Sequence, residues 1–454
     1  MKFLTRTLMA ILLLAIGVPF LSAQTVGKYR VMLTDKKKTT YSLKRPAEFL
    51  SEKAVARRLR LGLSIDSTDL PVCRKYLKRI RKHAEVLHTS RWNNTAVVRT
   101  SDSLAVEEIK RLPFVREVRK IAVEADSIPP RNAKRKEMVR DTIKAHFEKL
   151  PYGFSTGQVR MLGVDSLHAA GFRGQGMTIA VIDGGYFNTD TLPLLKYAKI
   201  LGTRDFVNPT SDIYAENAHG TQVLSCMAAN MPHVLVGTAP EASYWLLRSE
   251  DTDSEQLVEL DNWMAALEFA DSVGADLVNT SLGYAQFDDP TQNFKYHQLD
   301  GRTILASRSA SLAASKGMLL VCSAGNSGND AWKKITPPGD ADNVLTVGAV
   351  TADSVNAKFS SIGNTADGRV KPDVMAQGVN TAVVKTTGGV RTSNGTSFAS
   401  PVMCGGVACL WQAFPMLTPV QIIDLVRLAG HNEYPDNIFG YGIPNLWKAY
   451  LENK

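Results

Sequence analysis

Residues 395–401 read Gly-Thr-Ser-Phe-Ala-Ser-Pro and run straight into the apolar stretch Val402 to Trp411. Gly395 frees the backbone ahead of a serine, and the residues that follow predict a helix whose first turn accommodates Pro401. Ser397 is thereby set at a helix N-terminus, where free backbone N–H groups and the helix dipole favour a developing negative charge. Alone, such a turn is an ordinary helix cap. Upstream segments change that reading. Thr178-Ile179-Ala180-Val181-Ile182 has the pattern of a short buried strand that ends in Asp183, with Gly184-Gly185 turning the chain. Open α/β sheets hold their ligands at the carboxyl ends of such strands. His219-Gly220-Thr221 opens a second predicted helix, Gln222 to Ala229, with the imidazole at its mouth. Leu319 to Ala324 is a further strand, and Gly325-Asn326-Ser327-Gly328 leaves it with a side-chain amide to donate.

Asp183 with its two glycines, His219-Gly220-Thr221, Ala324-Gly325-Asn326 and the 395–401 heptapeptide resemble, in order and spacing, the subtilisin-type (subtilase) serine peptidases. Subtilisin itself exemplifies the chain order Asp, His, Ser. Asn279-Thr280-Ser281-Leu282-Gly283, Val344 to Ala349, Phe359-Ser360-Ser361 and Lys371-Pro372-Asp373 resemble the family too. The resemblance implies an α/β fold of three layers, a mostly parallel sheet covered by helices on both faces. It also implies a serine endopeptidase in which Asp183, His219 and Ser397 form the triad and the reaction passes through an acyl-enzyme. Asn326 and the Ser397 N–H would meet the oxyanion. Ser281-Leu282-Gly283 and Ser323-Ala324-Gly325 would line the substrate cleft as a roomy apolar pocket. Neither segment holds an acid, so one that demanded a basic substrate residue would come from another loop.

Two rival readings use the same residues: an inactive relative that binds peptides, and a serine hydrolase acting on esters. The four intact site residues speak against the first, and the family likeness against the second. Gly184 stands where the family usually has serine or threonine, which removes a side chain beside the carboxylate. Residues Asn230 to Gly237 lack the asparagine-rich loop that holds calcium in many subtilases. No cofactor is required by the chemistry, and calcium, unsupported here, would be structural.

At the start of the chain, Lys2 and Arg6 precede an apolar run from Leu8 to Leu21, then Ser22-Ala23 and Gln24. This is the pattern of a signal peptide over residues 1–23, cut after Ala23, and the product is expected to be exported, either secreted or periplasmic. No other segment is long and apolar enough to span a membrane. The net charge of +9 is divided: residues 24–150 carry +16 and residues 151–454 carry −9. A basic segment beside an acidic domain favours their docking over nucleic-acid binding, for which no recognised module is present.

Residues 24–125 alternate strand and helix patterns as a small α+β domain that resembles subtilase propeptides. By that likeness it is an intramolecular inhibitor, and an accessory domain that is never removed is the alternative. Its predicted elements are strands at Tyr29 to Leu33, Ala84 to Leu87, Asn94 to Thr100 and Val115 to Val123, with helices at Pro46 to Leu61, Cys73 to Lys82 and Ser103 to Leu112. Phe49, Val55 and Leu59 are the expected core of the first helix. A charged linker with Pro129-Pro130 spans residues 126–150, partly helical from Ala133 to Glu148, and should contain the processing site. The catalytic domain, 151–454, alternates strands and helices. Tyr284 to Arg302 is extra polar sequence, expected either beside the cleft or as a plain surface loop. Five cysteines leave at least one unpaired; buried free thiols are expected, with a Cys226–Cys404 disulfide as the alternative.

Overall fold

In the computed structural model, which describes residues 25–124 and 150–454, the first unit is built on an antiparallel sheet. Its strands β1 (Gly27–Leu33), β2 (Glu85–Ser90), β3 (Thr95–Thr100) and β4 (Val115–Val123) lie in the order β2-β3-β1-β4. Helices α1 (Glu52–Arg60), α2 (Arg74–Ile80) and α3 (Ser103–Lys110) accompany it, and α2 and α3 supply Tyr76, Leu77, Ile80 and Ile109 to a core shared with Val31, Ala96 and Val98. This is the expected α+β unit. The expected leader, and the linker apart from Leu150, lie outside the described residues.

The reading of the first helix is corrected. Ala54, Arg57 and Arg58 are buried, whereas Leu59 is 81% exposed and Val55 and Phe49 are only partly buried. Helix α1 does not pack inward on its own sheet. It lies against the second unit, where buried acids take the arginines, so its hidden face is cationic.

The second unit carries α4 (Thr156–Met161), α5 (Val164–Ala169), β5 (Thr178–Asp183), β6 (Lys199–Asp205) and α6 (His219–Ala228). A two-residue pair, β7 (Asn230–Met231) and β8 (Leu235–Val236), leads to β9 (Ser243–Arg248), α7 (Val258–Ser272), β10 (Leu277–Thr280), α8 (Leu305–Ser315) and β11 (Leu319–Ser323). Strands β12 (Leu345–Val350) and β13 (Val374–Gln377), the hairpin β14 (Thr381–Val384) and β15 (Val390–Ser393), and helices α9 (Thr396–Ala413), α10 (Pro419–Leu428) and α11 (Leu446–Asn453) complete it. Seven strands pair in parallel in the order β13-β12-β11-β10-β5-β9-β6.

Side chains alternate across this sheet as the strand period requires. Ile179, Val181, Leu246, Leu319 and Val321 point to the face covered by α6 and α9, with Val402 and Val407. Ala180, Ile182, Leu247, Leu320 and Cys322 point to the face covered by α7 and α8, with Trp263 and Leu267. Burial on both faces explains why these strands read as unbroken apolar runs. The fold is therefore the three-layer α/β arrangement. All five cysteines are buried and free. Among the described residues no helix is long and apolar enough to cross a membrane.

The first unit docks on the outer face of α7 through ionic contacts. Arg30 makes a two-pronged contact with Asp261 (2.7 and 2.5 Å). Asp271 is shared by Arg57, Arg58 and Arg91. At the turn between β2 and β3, Ser90 Oγ and the backbone N–H groups of Arg91 and Trp92 donate to Glu268 (2.5, 2.7 and 3.1 Å). The polarity is reversed where Lys316 reaches Asp66 and Asp69 at 3.0 Å each. Basic residues of the first segment thus meet acids of the second across this interface.

The extra sequence after Gly283 forms two short 3-10 turns, Pro290–Gln292 and Tyr296–Gln298, steadied by an edge-to-face contact of Phe287 with Phe294. It is tied to the loop after β9 by Asp288 N–H donating to the Glu255 carbonyl (2.9 Å) and Glu255 N–H donating to Asp288 Oδ2 (3.0 Å).

Candidate active site

The carboxyl ends of β5, β10 and β11 and the N-termini of α6 and α9 converge at one edge of the sheet. Asp183, the last residue of β5, is fully buried. Its Oδ1 accepts from His219 Nδ1 at 2.7 Å and from Gly184 N–H at 2.8 Å, while its Oδ2 has no hydrogen-bond partner. Helix α6 comes this close because its second residue is glycine. A Cβ on Gly220 would fall 2.4 Å from the Gly185 carbonyl oxygen and 2.9 Å from Asp183 Cβ.

Burial alone would push the His219 pKa down. The Asp183 charge and hydrogen bond, with Glu250 adding to them, more than offset this and hold the imidazole above its ordinary value. Glu250, on the loop after β9, was not singled out from the sequence. A Cβ on Gly184 would meet Thr252 Cγ2 at 3.0 Å and lie 3.8 Å from Glu250 Cβ, so this loop fills the space beside the carboxylate. Burial, then Asp183 and Glu255, push the Glu250 carboxyl up to about 8.

Ser397 is the second residue of α9 and is nearly buried, at 8% exposure. Gly395 enters the helix at φ 150° and ψ 151°, a backbone conformation that only glycine adopts readily. Pro401 was expected within the first turn but stands inside the helix. It can donate no N–H to the carbonyl four residues back, which is that of Ser397. Ser281 Oγ takes the vacant place and donates to the Ser397 carbonyl at 2.8 Å. Asn279 Nδ2 in turn donates to Ser281 Oγ (3.1 Å), and Ser400 Oγ donates to Asn279 Oδ1 (2.9 Å), fastening β10 to α9.

The Ser397 hydroxyl donates to the Ser281 carbonyl at 3.2 Å. The described hydrogen bonds thus join Asp183 to His219 but not His219 to Ser397. The imidazole does reach the start of α9, its ring 5.8 Å from that of Phe398. Asn326 Oδ1 accepts from the Thr396 N–H and hydroxyl, both at 2.9 Å, which leaves its Nδ2 to donate elsewhere. That amide nitrogen lies 3.7 Å from the Cβ position of Gly395, next to the Ser397 backbone.

The two predicted cleft segments, Ser281-Leu282-Gly283 and Ser323-Ala324-Gly325, are brought together by Thr336, which the sequence reading missed. A Cβ on Gly283 would meet Thr336 Oγ1 at 2.0 Å and one on Gly325 would meet it at 2.8 Å. Thr336 N–H donates to the Ala324 carbonyl (3.1 Å). Leu282 is largely covered and Gly283 is exposed, so the backbone edge of this segment faces outward.

The sequence pattern of the Subtilase family matches residues 174–442, more than half of the chain. The chain is a member of the subtilase family. A second match, over residues 28–138, is to the peptidase S8 propeptide domain of Bacteroidota. Similar curated proteins are subtilisin NAT of Bacillus subtilis subsp. natto, 30% identical over 76% of this chain and 78% of that protein, and serine protease AprX of Bacillus subtilis (strain 168), 28% identical over 60% and 65%. Among solved structures, MycP1 of the ESX-1 type VII secretion system superposes with a TM-score of 0.53 at 21% identity, covering 68% of this chain and 87% of that one. The maturation protease PagA gives 0.51 at 21%, covering 64% and 97%. These structures share the subtilase fold. The protein is accordingly a serine endopeptidase that carries its own propeptide.

Proposed function

We propose that this subtilase is made as an exported, self-inhibited precursor and hydrolyses peptide bonds through Asp183, His219 and Ser397. The layout that goes with this reading is a signal peptide over 1–23, a propeptide over 24–125, a processed linker over 126–150 and a catalytic domain from 151. One observation carries it: the 2.7 Å contact of buried Asp183 with His219 Nδ1, at the helix mouth beside the N-terminus that bears Ser397.

With Nδ1–H held by Asp183, Nε2 is the free base. Ser397 Oγ turns from the Ser281 carbonyl to His219, loses its proton to Nε2 and attacks the peptide carbonyl. His219 then returns the proton to the leaving amine, and water repeats the sequence on the acyl-enzyme. The oxyanion is met by Asn326 Nδ2 and the Ser397 N–H; losing such a donor costs about 2.7–4 kcal/mol, a magnitude taken from subtilisin. The reaction needs no metal. Substrates are peptides that lie along Ser281-Leu282-Gly283 and Ser323-Ala324-Gly325.

The test is N-terminal mass spectrometry of wild type and Ser397→Ala, with fluorophosphonate labelling of each. Wild type should begin between about Asp126 and Tyr152 and take the label, and the variant should begin near Gln24 and take none. Identical long forms without label would overturn the reading in favour of an inactive peptide-binding relative.

A further inference from the structure

Residues 249–294 hold eleven aspartates and glutamates and no lysine or arginine. Asp261, Glu268 and Asp271 of α7 and Asp276 before β10 are met by the propeptide. Among the described residues, Glu250, Asp251, Glu255 and Glu259 of the β9–α7 loop and the first turn of α7 have no such ionic partner from the propeptide. Glu259 is 1% exposed, and neither of its carboxylate oxygens has a hydrogen-bond partner. It faces Glu250, Glu255 and Asp251, and Glu250 in turn faces Asp183 and His219. The hydroxyl of buried Tyr284, from the insertion, points at Glu250 without a hydrogen bond of good geometry. Burial first, then neighbouring acids (Asp183 and Glu255 for Glu250, Asp288 for Glu255, Glu250, Glu255 and Asp251 for Glu259), pushes Glu250, Glu255 and Glu259 up to about 8, 7 and 10, and only His219 and the Tyr284 hydroxyl work against this at Glu250. A buried carboxyl group left in this state is stabilised by any cation that reaches it.

An extended chain already arrives at this loop. Val123, the last residue of β4, donates its backbone N–H to Gln256 Oε1 (2.8 Å) and accepts at its carbonyl from Gln256 Nε2 (3.3 Å). Val123 precedes any maturation cut in the linker, so a chain bound here presents its acyl side to Ser397. The Asp288–Glu255 hydrogen bonds hold the same loop firm from its other side.

We propose that Glu250, Glu255 and Glu259 form a subsite for a lysine or arginine side chain of the substrate, on the acyl side of the cut bond and next to His219. The subsite rests on the reading of Ser397 as the nucleophile, and it supplies the acid that the cleft segments themselves lack.

The test uses mature wild-type enzyme and peptides that carry lysine, arginine, glutamate or norleucine at the second, third or fourth position before the cut bond. At one of these positions a basic residue should raise kcat/KM at least about tenfold over norleucine, the scale of a single close charge pair, and glutamate should lower it. Glu250→Gln and Glu255→Gln should each shrink that ratio several-fold, while Asp289→Asn, on the exposed turn of the insertion, leaves it. Raising salt on the wild type shrinks it as well, and decides the matter if a variant fails to fold. Equal turnover of basic and norleucine peptides at all three positions, or a ratio unmoved in both variants, overturns the subsite and leaves the peptidase reading intact. Absence of both turnover and fluorophosphonate labelling overturns the two together.

Discussion

Ser281 and Ser397 exchange hydrogen bonds: the Ser281 hydroxyl donates to the Ser397 carbonyl at 2.8 Å, and the Ser397 hydroxyl donates to the Ser281 carbonyl at 3.2 Å. The first bond satisfies the carbonyl that Pro401 orphans inside α9, and the second parks the nucleophile. Ser281→Ala should therefore leave a buried carbonyl unpaired and lower stability by about 1–3 kcal/mol. Denaturant unfolding in the Ser397→Ala background, where no self-digestion intrudes, measures it. A change below the error of that experiment would mean that the orphaned carbonyl finds another partner.

The acid limb of activity should sit above that of an ordinary histidine. His219 must be neutral to take the serine proton, and although burial lowers its pKa, Asp183 raises it further than burial lowers it. Turnover should rise as pH passes through that elevated value. Asp183→Asn removes the cause, so the limb should move to lower pH while kcat falls about 10⁴-fold. For stability the sign is opposite: the raised pKa contributes below the unfolded histidine value, and the contribution is lost as pH rises through the folded one. A pH–rate profile of kcat/KM whose limb stays put in the variant would detach Asp183 from the imidazole.

Gly220→Ala tests how closely α6 must approach β5. The added methyl group would lie 2.4 Å from the Gly185 carbonyl oxygen, so the helix must withdraw and carry His219 with it. The overpacking should destabilise by about 1–3 kcal/mol, and kcat should drop about 100-fold or more because the base is misplaced. A variant that folds and turns over like wild type would show that the contact at the mouth of α6 is slack.

Much of the fold and the site was legible because the controlling signals are local. The apolar runs of β5 and β11 are buried on both faces, so they needed no alternation to be read as strands. Asp183, His219, Asn326 and Ser397 each sit where a strand ends or a helix begins, as their glycine-marked turns indicated. Three features were hidden. Phe49, Val55 and Leu59 were expected inside, since a hydrophobic stripe assumes an apolar partner; the partner of α1 is Asp271, which takes Arg57 and Arg58 from more than two hundred residues away in sequence. Pro401 was placed in a first turn because the rescue of the Ser397 carbonyl comes from Ser281, just past the end of β10. Thr336 and Glu250 matter through neighbours that only the folded chain supplies, although the run of eleven acids without a cation was visible all along.

Asp271 is the point at which propeptide docking should fail first. Burial opposes its ionisation, yet Arg91, Arg57 and Arg58 hold its carboxyl below the ordinary range. Arg57 and Arg58 are each 1% exposed, so Asp271→Asn strands buried cations and should weaken docking by about 3–5 kcal/mol. In the Ser397→Ala precursor this should appear as faster removal of the propeptide by added trypsin. The mature enzyme, which has lost the three arginines and solvates residue 271, should change in stability by no more than about 0.5 kcal/mol. The depressed pKa fixes the pH sense too: the contribution is present above the unfolded carboxylate value and lost as pH falls through the folded one, so acid should loosen wild-type precursor and leave the variant comparatively unmoved. Equal trypsin rates for the two precursors at neutral pH would place the docking energy in the apolar and hydrogen-bonded contacts around Trp92 and Glu268 instead.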